Sequence, residues 1–256
     1  MISAIILAAG RGSRMGPLTA NIHKSELEFR GQSLLNWQLE ALSKAGISNI
    51  ALVEGYKSLS PSIAIKRRFH NNLWSSYNIF SSLLAARTWL LERPCIISYS
   101  DIVYHPEDVK NLVNFNSDFS VAYVKDWQPI WLARFQDPLS DAESFRLNAN
   151  EEIVEIGKSM ADLNEADGQF CGLFTTKPCF WIWFFKRFET DLNLFLSMDM
   201  TTFFQWVTDN YVNGISAIKL TKEWFEFDNP KDLMTGDQSL SCEFFNKNSS
   251  LKNSPS

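Results

Sequence analysis

The sequence predicts an α/β protein built on a doubly wound, mostly parallel sheet, and three observations carry that prediction. Continuous apolar runs of strand length at 2–7, 50–53, 95–99 and 120–124 alternate with stretches of helical period. A glycine-rich loop follows the first run directly. Asp101 stands at the end of the third run, and the carboxyl ends of strands are where such sheets bind ligands.

Each element has its own signal. The run 2–7 is a buried strand, and 9–21 is a loop broken by Gly10, Gly12, Gly16 and Pro17. Leu34, Trp37, Leu39, Leu42 and Ala45 mark a helix that Gly46 ends. Ile79, Leu83, Leu84, Ala86 and Leu90 mark a second, and 107–115 reads as a third. The second half is less regular. It reads as a hairpin of 144–147 with 152–156, a strand at 170–175, helices at 181–188 and 201–211, and final strands at 215–220 and 224–227. Beyond Gly236 the chain turns polar, so one domain is expected over 1–235, with a flexible tail over 236–256.

A chain of 256 residues with 45% apolar content suits one domain with a real core. Its net charge of −5 argues against nucleic acid as a partner. Four cysteines without C-x-x-C spacing and three scattered histidines support neither a zinc site nor a disulfide framework. The apolar start is too short for a signal peptide, and the aromatic run 180–185 is too short to span a bilayer. A cytoplasmic protein with no membrane partner is expected.

The strongest local signal runs from Leu7 through Ala8, Ala9, Gly10, Gly12, Ser13, Arg14, Met15, Gly16, Pro17 and Leu18 to Thr19, with Lys24 five residues on. Glycines let backbone amides approach a polyphosphate, and Arg14 and Lys24 supply charge-assisted bonds to the same anion. Met15 occupies the third glycine of the dinucleotide fingerprint, and no G-K-[ST] triplet follows, so neither common nucleotide motif applies. A bound polyphosphate also calls for a divalent cation, and Asp101 is placed to hold one. Glu226 and Asp228, two apart on a strand, share a face and are the other candidates. Asp101 could equally cap a helix, and Glu226 could be a plain rim carboxylate.

These motifs resemble the sugar-phosphate and phosphocholine nucleotidyltransferases, whose signature is L-A-A-G-x-G-x-R-M, then P-L-T and a lysine. His23 stands here where that family has proline before the lysine, and Glu54 stands where it has glycine before Gly55 and Tyr56. The resemblance covers about residues 2–235. It implies a nucleotide-diphospho-sugar transferase-like, Rossmann-like fold with a small β-rich insertion on the acceptor side. It implies catalytic roles for Arg14 and Lys24, and Mg²⁺ on Asp101, Asp228 and Glu226. The nucleotide would be bound by Leu7, Ala8, Ala9, Gly10, Gly12, Ser13, Arg14, Gly55, Tyr56, Asn78 and Ser100.

Within that family the segments around Tyr99–Tyr104, Trp127–Glu143 and Glu155–Lys158 look most like the CTP-dependent enzymes that act on small amino-bearing phosphates. The substrates implied are CTP and a small phosphorylated acceptor, in a monomer or homodimer. The aromatic and charged stretch 127–143 reads as a loop closing over that acceptor. Tyr104, Trp131, Arg134, Asp141, Glu143 and Gln169, with Lys24, form the expected acceptor site. Most of the nine tryptophans are expected in the core. The alternatives are a sugar-1-phosphate nucleotidyltransferase using UTP, dTTP or GTP, and a nucleotide-binding regulatory relative without activity.

Overall fold

The structure is a computed structural model that describes residues 2–246; the last part of the expected tail, 247–256, lies outside the described residues. The first half runs β1 (Ser3–Ala8), β2 (Glu28–Phe29), β3 (Gln32–Ser33), α1 (Leu34–Lys44), β4 (Ile50–Glu54), β5 (Arg67–His70), α2 (Ile79–Ala85), α3 (Arg87–Glu92), β6 (Cys95–Tyr99), β7 (Ile102–Tyr104), α4 (Pro106–Asn114) and β8 (Phe119–Val124). The second half runs α5 (Gln128–Arg134), β9 (Glu143–Leu147), β10 (Ile153–Ser159), β11 (Gln169–Thr176), α6 (Pro178–Phe188), α7 (Leu192–Leu196), α8 (Met200–Asn210), β12 (Ser216–Lys219), β13 (Trp224–Glu226) and α9 (Pro230–Ser239).

Seven strands form the central sheet in the order β12-β8-β11-β6-β1-β4-β5. β1 pairs in parallel with β4 and β6, whereas β11 runs antiparallel to both β6 and β8. The side-chain alternation of β1 shows how the layers are built. Ile5 and Leu7 join the core under α2, α3, α6 and α8, while Ala4, Ile6 and Ala8 join the core under α1 and α4. Burial on both faces is why this strand is continuously apolar. The aromatic residues of α6 and α8 fill the first core: Phe180, Trp181, Phe184, Phe203 and Phe204 are fully enclosed.

Several expectations are corrected. The loop after β1 tightens into 3-10 turns over Ser13–Thr19. The helix expected through 79–90 breaks at Ala86 into α2 and α3. The stretch 127–143 is not a loop. It holds α5 and a 3-10 turn, and Trp127 and Trp131 are packed into the core side of α5. The expected domain end at 235 falls inside α9, and the chain stays packed beyond it, because Leu240 and Phe245 are buried against Trp37, Phe225 and Phe227. The hairpin β9–β10 forms as expected, and Gln205 of α8 accepts the Ile156 amide at 2.8 Å, which docks the hairpin beside the sheet. No helix among the described residues is long and apolar enough to cross a membrane.

Candidate active site

Two short strands bring the acidic residues together. β7 pairs antiparallel with β13, with Glu226 opposite Ile102 and Phe225 opposite Val103. The register continues one step, and the Phe227 amide donates to the Asp101 carbonyl at 2.9 Å. Asp101 and Asp228 therefore flank one strand end although 127 positions separate them in sequence. Carboxylate oxygens of Asp101, Glu226 and Asp228 lie within 4.8 Å of one another, a group that could hold a metal ion. The turn carrying Asp101 is fixed from below by Gln38 of α1, whose buried amide donates to the carbonyls of Tyr99 at 3.0 Å and Ile102 at 2.6 Å.

Lys24 joins the group from the glycine-rich side. Its Nζ donates to Asp101 Oδ2 at 2.8 Å and Asp228 Oδ1 at 2.6 Å, and its side chain is 6% exposed. Burial alone would lower its pKa, but the two carboxylates outweigh that and hold it at about 12. Gly12 makes room for this lysine. A Cβ there would stand 2.7 Å from Lys24 Cβ, and the backbone is left-handed at φ +68°. Arg14, mostly exposed, reaches the other oxygen of Asp228 at 2.8 Å. Burial would raise the Asp228 carboxyl, but Lys24, Arg14 and Arg134 hold it below its ordinary range. Burial and the charge of Asp228 push Glu226 the other way, up, against the pull of Arg134. The second oxygen of Asp101, Oδ1, is buried and accepts no hydrogen bond, so it can still face a cation.

A cleft of about 450 Å³ opens on one side of this cluster. It is lined by Leu7, Ala9, Gly10, Gly12, Ser13, Arg14, His23, Lys24, Asn78, Ser100 and Asp101, together with Trp74, Tyr77 and Tyr99. Most of the residues expected to bind nucleotide thus meet in one place. Ala8 does not, because it faces the core under α1 and is fully buried. Gly55 and Tyr56 stand behind the lining. Gly55 allows close contact, since a Cβ would meet Trp74 Cβ at 2.7 Å and the Ala9 carbonyl at 2.8 Å, and the Tyr56 amide donates to that carbonyl at 2.8 Å. Asn78 opens α2 without capping it, and its side chain instead donates to the Ser197 carbonyl at 2.5 Å. Glu54 points away into the fold, accepting from the Leu59 amide and from Arg68.

A second cleft of about 290 Å³ lies on the other side, and Arg14 and Tyr99 line both. Its walls include Trp131, Asp141, Glu143 and Gln169 of the expected acceptor set, Glu226 and Asp228 of the expected metal set, and also Asp199 and Thr201 at the start of α8. Trp131 donates to Asp141 at 3.0 Å, and the Gln169 amide clamps Glu143 by its backbone, accepting from its N–H at 3.1 Å and donating to its carbonyl at 2.5 Å. Burial raises both acids: Asp141 despite the pull of Arg134, and Glu143 with help from the charges of Asp199 and Asp141. Three residues of the expected acceptor set do not line this cleft, and Lys24 is one of them, since it lines the first cleft instead. Tyr104 is buried in the core under α1 and α4. Arg134 has a fully buried side chain turned to the back of the cluster, where it meets Glu226 at 2.9 Å and Asp232 at 3.3 Å. Gln38, Asp199, Thr201 and Asp232 stand in none of the sequence motifs described above. Gln38 bonds carbonyls 61 and 64 positions away. Asp199 and Thr201 bond each other at the start of α8, and only the fold brings them to the cleft. The spacing of Asn229 and Asp232 as a capping box is the one local signal for Asp232.

A family profile described as a MobA-like NTP transferase domain matches residues 4–150, which contain the glycine-rich loop, Lys24 and Asp101. The chain belongs to this family. Over 249 residues it is 33% identical to the CTP:phosphoglutamine cytidylyltransferase of Campylobacter jejuni, covering 91% of this chain and 98% of that one. It is 27% identical to the choline-phosphate cytidylyltransferase of Haemophilus influenzae over 70% of this chain and 71% of that one. Among solved structures, the inositol-1-phosphate CTP transferase from T. maritima superposes with a TM-score of 0.69 at 17% identity, covering 94% of this chain and 98% of that one. The CTP:phosphocholine cytidylyltransferase from Streptococcus pneumoniae does so with 0.65 at 18% identity, covering 93% and 98%. The MobA-like NTP transferase domain therefore has the nucleotidyltransferase fold, and the protein is a nucleotidyltransferase. The family profile ends before β11 and β13, so the carboxylates Glu226 and Asp228 come from outside the matched segment.

Proposed function

We propose that this protein is a magnesium-dependent cytidylyltransferase that moves CMP from CTP to a small amino-bearing phosphorylated acceptor, of phosphoglutamine, phosphocholine or phosphonate type, in the decoration of a cell-surface glycan or capsule. One observation carries this reading: the cluster of Lys24, Asp101, Glu226 and Asp228 lies in the wall between a glycine-lined cleft and a carboxylate-lined one. The relatives' cytidylyltransferase names support cytosine. Asp141, Glu143 and Asp199 around the second cleft support a cationic amine.

In the reaction an acceptor phosphate oxygen attacks the α-phosphorus of CTP. The bond from that phosphorus to the bridging oxygen breaks, and the electron pair leaves on pyrophosphate. The attacking oxygen is already anionic, so no general base is needed, and catalysis reduces to alignment and charge neutralisation. Lys24 supplies fixed positive charge between the two substrates. Arg14, exposed at the mouth of both clefts, can turn from Asp228 to a phosphate. Asp101 and Asp228 would hold Mg²⁺, with Glu226 as third ligand, and the unpartnered Asp101 oxygen fits that use. When bound, the ion neutralises triphosphate and leaving-group charge.

The test is a screen of four NTPs against phosphocholine, 2-aminoethylphosphonate, phosphoglutamine and sugar 1-phosphates, read as pyrophosphate. CTP with an amine-bearing acceptor is expected to lead. Better turnover of UTP, dTTP or GTP with a sugar 1-phosphate would replace this reading by the sugar nucleotide one, and no pyrophosphate with any pair would favour the regulatory relative.

A further inference from the structure

We propose that Arg134 is a positioning residue for the metal carboxylates, acting with Asp232 from behind them, rather than a contact for the acceptor. The inference rests on the metal reading given above. Arg134 and Asp232 both have fully buried side chains, and neither lines the two clefts described. The guanidinium divides its donors. NH1 binds Glu226 Oε2 at 2.9 Å, while Nε and NH2 bind the two oxygens of Asp232 at 3.3 and 3.4 Å. Asp232 in turn accepts the backbone amides of Asp228 at 2.8 Å and Asn229 at 3.0 Å, and the Asn229 side chain at 3.0 Å. One arginine thus fixes the side chain of Glu226 directly and the backbone of Asp228 through one intermediary.

The charge pattern gives this clamp its purpose. Asp101, Glu226 and Asp228 crowd within 4.8 Å and repel one another. Lys24 and Arg14 relieve the repulsion from the cleft side, where substrates must also bind. Arg134 relieves it from the protein side and leaves the cleft-facing oxygens open. A planar fork is required to meet carboxylates on two different elements at once, β13 and α9, and a lysine ammonium offers no such fork. Arg134 also sits one turn after Trp131 on α5, and Trp131 holds Asp141 in the acceptor cleft. The same short helix therefore braces the ion-holding acids from its last residue and shapes the acceptor pocket one turn earlier. Removal of groups that orient metal ligands commonly costs about 10–100-fold in metal affinity or activity.

Mn²⁺ binding to the substrate-free full chain, followed by calorimetry or electron paramagnetic resonance, tests the clamp without any turnover. Arg134→Met should weaken Mn²⁺ binding about 10–100-fold, with Arg134→Lys between it and wild type. In turnover, kcat should fall while the KM for the acceptor holds. Should Arg134→Met not fold by circular dichroism, Asp232→Asn takes its place with the same expected loss of Mn²⁺ affinity. Mn²⁺ binding as in wild type in the folded variant, or a raised acceptor KM with Mn²⁺ affinity intact, overturns the clamp alone. A wild-type protein that takes up no Mn²⁺ overturns the clamp and the metal reading together.

Discussion

Asp101 and Asp228 face each other across a single ammonium. Replacement of either by alanine should cut pyrophosphate release in Mg²⁺ by at least about a hundredfold, the scale of losing one electrostatic group that acts on developing charge. Circular dichroism should show the fold retained. Near-normal rates in either variant would remove that residue from the ion site. Lys24 gives a second prediction, one of stability against pH. Its folded pKa is raised from 10.5 to about 12, so its charged form stabilises the fold. That contribution is complete below the unfolded pKa and disappears as pH rises through the folded one. The urea-unfolding gap between wild type and Lys24→Met should therefore narrow by about 2 kcal/mol between about pH 9 and pH 12.5, and a constant gap would contradict the ion pairing. At this scale the sequence was informative where a motif fixed the neighbourhood: Gly10, Gly12, Arg14, Lys24 and Asp101 all reach the first cleft. It misled at Arg134, whose setting among tryptophans and acids looks like a surface loop. Its real partners, Glu226 and Asp232, lie 92 and 98 positions away, beyond anything local spacing can report.

Among the elements, α1 and the β9 strand do work for the site that their helical or strand character does not advertise. Gln38 sits on the buried face of α1 among leucines and spends its amide on two carbonyls of the Asp101 turn. Gln38→Met should destabilise the protein by about 1–3 kcal/mol, the penalty of leaving buried acceptors unmet, and should lower kcat more than it alters the KM for CTP. An unchanged melting temperature would show that the turn holds itself. β9 places Glu143 in the second cleft with its backbone clamped by Gln169. Glu143→Gln should accordingly raise the KM for an amine-bearing acceptor and leave that for CTP nearly unchanged; a loss of thermal stability with acceptor saturation intact would make the residue structural. Long apolar strands and helices of clear period were legible in the sequence, because burial on one or both faces writes itself into residue type. β5 was not, since only Phe69 of its four residues is buried at the sheet edge. β7, three residues long, is too short for any period to show, whereas the strand expected at 224–227 forms as β13.

For the molecule as a whole, the segment that follows α9, as far as Phe245, belongs to the core. Arg30 reaches the carbonyls of Asp237 and Leu240, and Phe245 packs edge-on against Trp37. The polar composition after 236 concealed this, because two aromatic residues among serines and asparagines do not raise an average. Phe245→Ala should lower the unfolding free energy by about 3–5 kcal/mol in urea titrations, the cost of emptying a buried aromatic site, and a change under about 1 kcal/mol would return this segment to the surface. The antiparallel strand β11 has a consequence for how the protein is made. It stands between β6 and β8, so a nascent chain that has emerged only as far as residue 150 can assemble β6, β1, β4 and β5 side by side but leaves β8 with no neighbour to join. Until β11 arrives from the ribosome, β6 presents an open hydrogen-bonding edge, the kind of surface on which chains pair wrongly with one another. The segment that carries the family's hallmark thus leaves the sheet unfinished, and the last third of the polypeptide completes the sheet as well as the ion site.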